Sequence, residues 1–423
     1  MEQVKPKTPI IGRITVLDAL RGFALLGVIL IHMLQHFGIF SIPSPQIEER
    51  FPEMNKIIQW IGQHIIMGRF VNIFAFLFGL SFFIQMDSAT RKGIDFRKRF
   101  VWRMFLLFSL GILAHSFYSL EIISVYAVFG LLLIPLYRVK NWVLIVFACL
   151  LIIGVPRIIQ ANKHNNAVSE LKINQPLPNN SRVQPGIPDH ITKPSFLNSA
   201  KYNYKERFTG KLNYQFGLIG RGYLTFAMFI FGLVVGRIRF FENIGIKKSK
   251  NMKLFLGFVL ATFLIGRIIN LFPTIETRLL FNPAGIYIPN ELLLLQALKD
   301  INLVLFSGAL AMGFIILYQT KSMGKYLDLL SPYGRMGLTN YIMQGLIGSL
   351  LFSMWAFGSI FSAWAATELF ILGIVIYIGQ VIISKYWLKY FLFGPLEWLW
   401  RSTTYMKSQP FRRISTEKKE NLK

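Results

Sequence analysis

The chain has 423 residues, of which 53% are hydrophobic and 16% charged, with a mean hydropathy of +0.48. No water-soluble domain needs that much apolar surface, and repeated apolar runs of about 18–25 residues point to lipid as the solvent and to helices rather than the alternating strands of a β-barrel. The formal net charge is +26, but the Lys and Arg residues lie between the apolar runs, so they mark topology and an attraction to anionic headgroups or phosphorylated substrates; no nucleic-acid partner is expected.

Residues 22–34 follow Lys5, Lys7 and Arg13 in the manner of a secretory signal, but Asp18, Arg21 and the lack of a small-residue cleavage site make this run an uncleaved first membrane helix. Hydropathy then predicts spans near 18–39, 66–86, 102–118, 121–137, 141–159, 216–236, 253–271, 295–318, 336–357 and 363–384. Basic residues recur at every second connection. Arg91 to Arg103 follow the second span, Arg138 and Lys140 the fourth, Arg237 to Lys253 the sixth, Lys321 to Arg335 the eighth, and Lys385 and Lys389 the tenth. That side is expected to be cytoplasmic.

The expected fold is therefore all-α: a polytopic transmembrane helical bundle of about ten helices, both termini cytoplasmic, with membrane lipids as its surroundings. It divides into a first half (1–159), an external loop (160–215) rich in Asn, Pro and Ser, and a second half (216–384). A basic tail (385–423) opens with an amphipathic stretch, Phe391 to Trp400, suited to the inner interface, and is expected to be disordered after Lys407. The one cysteine, Cys149, lies in an apolar run, so no disulfide or cysteine metal site can form within the chain.

A charged group inside a bilayer costs about 2.5–3.5 kcal/mol on insertion scales, so each needs a partner, a cavity or a function. On the first span, Arg21 and His32 are separated by ten residues. Eleven steps of 100° bring them to one helix face, about 16 Å apart along the axis. Asp18 and Arg21 can form an i, i+3 ion pair at the inner interface, or Arg21 can receive phosphate groups while Asp18 orients it. His32 is either an interhelical hydrogen bonder or a general base for a hydroxyl. His36, four residues on, has no carboxylate beside it, so no metal is expected.

Arg69 and Asn72 open the second span, where Gly79 suits close helix approach. His115 and Glu121 flank a short outer hairpin and either cap it or face the cavity of His32. Asn340 and Gln344 share a face as interhelical ties or as contacts to a carbonyl or sugar. Glu397 and Arg401 are spaced to pair on a short helix of the tail.

Several longer motifs carry a resemblance: RITVLDALRGFALLGVIL (Arg13–Leu30), FAFLFGLSF (Phe74–Phe82), the region Ile112–Leu133, GRMGLTNYIMQ (Gly334–Gln344) and GPLEWLWRSTTY (Gly394–Tyr405). In these the chain resembles the YeiB-like family of bacterial membrane proteins over nearly its whole length, with a carboxy-terminal domain of unknown function 418 at about 225–405. More remotely it is similar to transmembrane acyltransferases such as acyltransferase family 3 and heparan-α-glucosaminide N-acetyltransferase. That likeness implies a bacterial cytoplasmic membrane protein that moves an acyl group from cytoplasmic acyl-CoA, as co-substrate with no tightly bound cofactor, to an envelope glycan or lipid-linked acceptor.

The acyltransferase family 3 pattern of an Arg and a His ten residues apart maps onto Arg21 and His32. In this scheme Arg21 and Asp18 hold donor phosphates, His32 takes the acceptor proton, and His115 with Glu121 orients the acceptor. Arg69, Asn72, Asn340, Gln344, Glu397 and Arg401 line a polar cavity. The rival expectation is a transporter or exporter of a small amphipathic molecule using the same cavity, and a third is a noncatalytic scaffold.

Overall fold

The structure, a computed structural model, describes residues 14–39, 50–174, 187–245, 247–273, 277–281, 283, 285–361 and 363–413. In chain order the helices are α1 (Thr15–Leu34), α2 (Pro52–Ile61), α3 (Arg69–Thr90), α4 (Arg97–His115), α5 (Ile123–Leu136), α6 (Asn141–Ile153) and α7 (Val155–Asn174). The short α8 (Asp189–Thr192), α9 (Phe196–Tyr202) and α10 (Phe208–Phe216) lead into α11 (Arg221–Arg237), α12 (Lys248–Ile269) and α13 (Asn290–Tyr318). Then come α14 (Lys321–Leu327), α15 (Ser331–Arg335), α16 (Gly337–Phe352), α17 (Gly358–Phe361), α18 (Ala366–Tyr390) and α19 (Pro395–Tyr405). Among the described residues the sole strand-like pairing is one isolated bridge, Phe391 to Arg412.

Each of the ten expected spans contains a helix. Among the described residues, by length and apolarity alone, five helical stretches can cross a membrane, or up to seven if the bent pairs α6–α7 and α10–α11 each count as one span. The shortfall has a physical reason. With 14 and 16 residues, α5 and α16 reach only about 21 and 24 Å at 1.5 Å per residue, short of a hydrocarbon core about 30 Å thick, and α4 begins with a run of basic side chains.

Hydrogen bonds gather the basic connections at one end of the bundle. Arg237, closing α11, donates to the carbonyls of Leu136, Tyr137 and Val139 between α5 and α6. Arg239 reaches Asp87 near the end of α3, and Tyr318, closing α13, bonds Thr15 at the start of α1. Trp102 at the start of α4 donates to the Thr403 carbonyl of α19, and Trp400 returns a bond to Arg103. At the opposite end Asn165 of α7 exchanges bonds with Ile288, and Lys211 of α10 pairs with Glu121.

The centre of the bundle is α1, most of whose residues from Val16 to Met33 are buried. It is enclosed by α3, α15, α16 and α18. Helices α3 and α11 cross with their backbones in contact: a Cβ at Gly79 would overlap the Phe229 carbonyl, and one at Gly232 would overlap that of Phe76. Only hydrogen permits the two backbones to meet, which is how small residues let helices associate without a hydrophobic driving force.

Two expectations are corrected. The segment 160–215 is largely helical in its described part, because α7 continues to Asn174 and α9 to α10 fold onto the bundle end, burying His190, Asn203 and Gln215; residues 175–186 lie outside the described set. The tail is ordered past Lys407, since Phe411 packs on Trp387, Phe391 and Trp398, and the rest of it, 414–423, lies outside the described residues.

Replacing Gly232 by leucine should force α3 and α11 apart at a cost of about 1–3 kcal/mol. The readout is the monodisperse fraction surviving mild heating in detergent; an unchanged profile would mean the backbones do not touch.

Candidate functional site: an arginine-rimmed cavity and a polar outer cluster

A cavity of about 370 Å³ lies between α1, α3, α4, α5, α16 and α19. At the basic end its rim carries Arg21, Arg103, Arg335, Gln85 and Glu397. Inward the wall is aromatic and aliphatic, with Phe78, Phe82, Phe100, Met104 and Leu107, and it ends at Phe74, Ile123, Tyr126 and Tyr341. From Gln85 to Phe74, eleven residues of α3, the depth is about 16 Å.

Arg21 does two things at once. Its Nη1 donates to Asp18 at 2.6 Å, the i, i+3 ion pair, and its Nη2 donates to Ser81 Oγ at 2.8 Å, which turns the guanidinium toward the cavity. Arg103 lies 4.0 Å from the centroid of the Trp400 ring, and its Nε is buried without a hydrogen-bond partner. Buried donors are normally satisfied, and this N–H is an exception that Arg69, Arg157, Arg207 and Arg221 share.

Glu397 lines this rim, but its partner is not Arg401. Its carboxylate accepts the backbone N–H groups of Leu338 and Thr339 at 2.7 and 3.0 Å and the Thr339 hydroxyl at 2.6 Å. That is an N-terminal cap on α16 supplied from another helix. Burial pushes the Glu397 carboxyl up from its ordinary value, against the pull of these hydrogen bonds. Arg401 is exposed and lies over Phe393.

The other residues expected at a polar cavity lie elsewhere. Asn340 donates to the Tyr333 carbonyl and Ser384, and Gln344 to Tyr333 Oη and the Leu25 carbonyl. Both are therefore interhelical ties joining α1, α15, α16 and α18. Arg69 caps the turn before α3 through the carbonyls of Gln63 and Met67, while Asn72 bridges Ser307 and Arg221. These two lie at the far end of α3 from the rim.

His32 is buried but is not among the residues lining the cavity. Its ring stands edge-on to Phe37 and Tyr118, with centroids 5.2 and 6.4 Å away, and Tyr118 in turn lies 6.3 Å from Tyr341 on the cavity floor. Two aromatic contacts thus separate the imidazole from the cavity. Beyond them His115 and Glu121 do come together, His115 Nδ1 standing 3.9 Å from Glu121 Oε1. His115 Nε2 donates to the Asn203 carbonyl at 3.1 Å. Glu121 is also paired with Lys211 and accepts the Ser124 hydroxyl and backbone N–H. The hydroxyl of Tyr341 accepts the Ile122 N–H, so this cluster abuts the cavity floor.

Several polar groups escaped the sequence reading. Arg157 and Asp300 form a buried ion pair, with Arg157 also bonded to the Leu218 and Ile219 carbonyls. Arg221 holds Asn72 and the Gly68 carbonyl. All three lie inside expected spans, so their charge at membrane depth was the available signal. Lys211 fell in an expected loop and gave none.

Comparison with known proteins accords with this picture. Residues 235–407 match the family described as Protein of unknown function (DUF418). Residues 13–180 match the family described as Heparan-alpha-glucosaminide N-acetyltransferase, catalytic. The resemblance read from the sequence holds in both halves of the chain. Over 407 residues the chain is 27% identical to an uncharacterized 39.9 kDa protein in the amylase 3' region of Bacillus acidopullulyticus, covering 94% of this chain and 95% of that protein. Over 428 residues it is 26% identical to uncharacterized protein YxaH of Bacillus subtilis (strain 168), covering 94% and 96%. A 77-residue stretch is 40% identical to uncharacterized protein YeiB of Escherichia coli (strain K12), covering 18% of this chain and 19% of that protein.

Exchanging Lys211 for methionine strands the Glu121 carboxylate in a buried site, which costs about 3–5 kcal/mol. The double variant Glu121→Gln with Lys211→Met should regain most of that in a thermal unfolding assay. A double variant as unstable as the summed singles would show that the two charges do not interact.

Proposed function

We propose that this membrane protein transfers an acyl group from cytoplasmic acyl-CoA to a cell-envelope glycan or lipid-linked acceptor, crossing a bacterial cytoplasmic membrane about ten times with its basic end inside. The observation that carries the reading is the cavity, which opens at the basic end between Arg21, Arg103 and Arg335 and runs inward to Tyr341. Planar guanidinium groups bind phosphate oxygens through paired N–H bonds. The depth of about 16 Å suits an extended pantetheine arm, which places the thioester at the cavity floor. The match of residues 13–180 to an acetyltransferase catalytic family supports the same reaction class.

In this reading an acceptor hydroxyl or amine attacks the thioester carbonyl. The carbon–sulfur bond breaks as the new bond to oxygen or nitrogen forms, and the acceptor proton passes to His32 and then to the departing thiolate. His32 lies behind Tyr118, so a ring must turn before the imidazole meets the acceptor. Glu121, held by Lys211 and Ser124, and His115 orient the acceptor from the far side.

Purified protein in liposomes, given radiolabelled acyl-CoA inside and an envelope glycan fraction outside, should label the glycan covalently. Arg103→Gln should raise the KM for acyl-CoA about tenfold or more, the worth of one charged hydrogen bond, with kcat little changed. His32→Gln should bind donor normally and fail to transfer. Label that crosses the membrane without becoming attached would replace this reading with export.

A further inference from the structure

Two tyrosines close the inner end of the arginine-rimmed cavity, and their hydroxyls are differently engaged. Tyr126 of α5 donates to the Val71 carbonyl of α3 at 3.2 Å, so its one proton is already used. The Tyr341 oxygen of α16 instead accepts the Ile122 N–H at 3.1 Å, and its other bond is to the Tyr118 hydroxyl. A phenol has one proton to give and can accept two. Tyr118 and Tyr341 thus carry two protons, one of which joins them, and among the described residues no acceptor takes the second. Tyr341 lines the cavity and Tyr118 does not. An acceptor in the cavity that bonds Tyr341 therefore orders Tyr118 to donate to Tyr341 and leaves both protons satisfied, as buried hydroxyls ordinarily are.

Packing fixes where this hydroxyl stands. The Tyr341 ring is stacked on Phe74 at 6.5 Å and meets Tyr118 at 6.3 Å between centroids. Gly345 lies one turn further along α16, and a Cβ there would overlap the Tyr118 ring, so the absence of a side chain lets Tyr118 close on Tyr341. A donor held in place beforehand needs no reorganisation when charge develops beside it, and the two hydrogen bonds its oxygen receives strengthen the one it gives. The carboxylate whose charge reaches both tyrosines, Glu121, is itself paired with Lys211 and bonded to Ser124.

Resting on the acyl-transfer reading, we infer that Tyr341 is a catalytic residue whose hydroxyl donates a hydrogen bond to the thioester carbonyl oxygen at the cavity floor. As the oxygen or nitrogen of the acceptor bonds the carbonyl carbon, the π pair of the C=O bond moves onto the carbonyl oxygen. Tyr341 stabilises that oxyanion and keeps its own proton throughout. The pair then returns to re-form the carbonyl as the carbon–sulfur bond breaks and the thiolate leaves, while the acceptor proton takes the route through His32. Among the described residues on this floor Tyr341 is the side chain with a proton to give: Tyr126 has committed its own to Val71, and Phe74 and Ile123 have none.

The test compares two unreactive CoA thioethers on the full-length protein in detergent by titration calorimetry: S-acetonyl-CoA, which carries a ketone carbonyl, and S-propyl-CoA, which does not. The unaltered protein should bind the ketone about two- to tenfold more tightly, the worth of one neutral hydrogen bond. Tyr341→Phe, which keeps the ring, should abolish that preference. Both ligands are measured on one preparation, so a partly unfolded variant does not change the ratio, and equal affinities in the unaltered protein overturn the inference without any variant. In acyl transfer Tyr341→Phe should lower kcat about a hundredfold or more with the KM for acyl-CoA little changed, a split that a side chain merely bracing α16 would not produce. A variant that keeps the ketone preference, or transfers as fast as the unaltered protein, overturns the role of Tyr341 and leaves acyl transfer standing. Unaltered protein that transfers no acyl group from any acyl-CoA removes the acyl-transfer reading and this role with it.

Discussion

The whole arrangement depends on keeping a helix with charged and polar side chains inside the protein rather than against lipid. Almost every residue of α1 from Val16 to Met33 is enclosed. Lipid cannot satisfy a stray hydrogen-bonding group, and a charge there must find a partner within the bundle. The surrounding helices therefore supply one partner each: Ser81 of α3 for Arg21, Tyr377 of α18 for the Gly22 carbonyl, and Gln344 of α16 for the Leu25 carbonyl. Satisfying α1 fixes where α3, α16 and α18 stand. The arginine-rimmed cavity is the space that α1, α3 and α16 leave against α4, α5 and α19.

The arginines divide by what lies around them. Arg237 spends its guanidinium on the carbonyls that close α5, and Arg157 on Asp300 and two backbone carbonyls, so both act as fasteners of helix ends. Arg21 and Arg103 differ because they line an open space. Charge alone does not separate these two uses. The distinction follows from whether backbone oxygens lie within reach, which is a property of the packed helices.

The half of the site away from the basic end repeats the contrast in neutral groups. Asn340 finds Ser384 and the Tyr333 carbonyl and so serves the fold, whereas Ser349, nine residues on along the same helix, holds a buried hydroxyl with no partner. His32 stands between the two halves, separated from the cavity by Tyr118 and Tyr341 and from the outer end by Phe37. A donor from one end and an acceptor from the other would meet where these rings now lie. A bundle that kept the two compartments apart until both were filled would also protect a thioester from water.

The amino-acid sequence determined what depends on local composition. Each of the ten apolar segments contains a helix, and among the described residues five to seven helical stretches are long and apolar enough to cross a membrane; the basic connections gathered at one end, and the ion pair of Asp18 and Arg21 followed from a three-residue spacing. The tertiary structure decided everything that needs residues far apart in the chain. Lys211 reaching Glu121 and Glu397 capping α16 have no signature in spacing or hydropathy, since each pairs groups far apart in the chain through a packing that only the folded bundle sets. For the same reason Arg21 and His32, which share one face of α1, open onto different surroundings: a helix fixes direction, and its neighbours fix what lies in that direction.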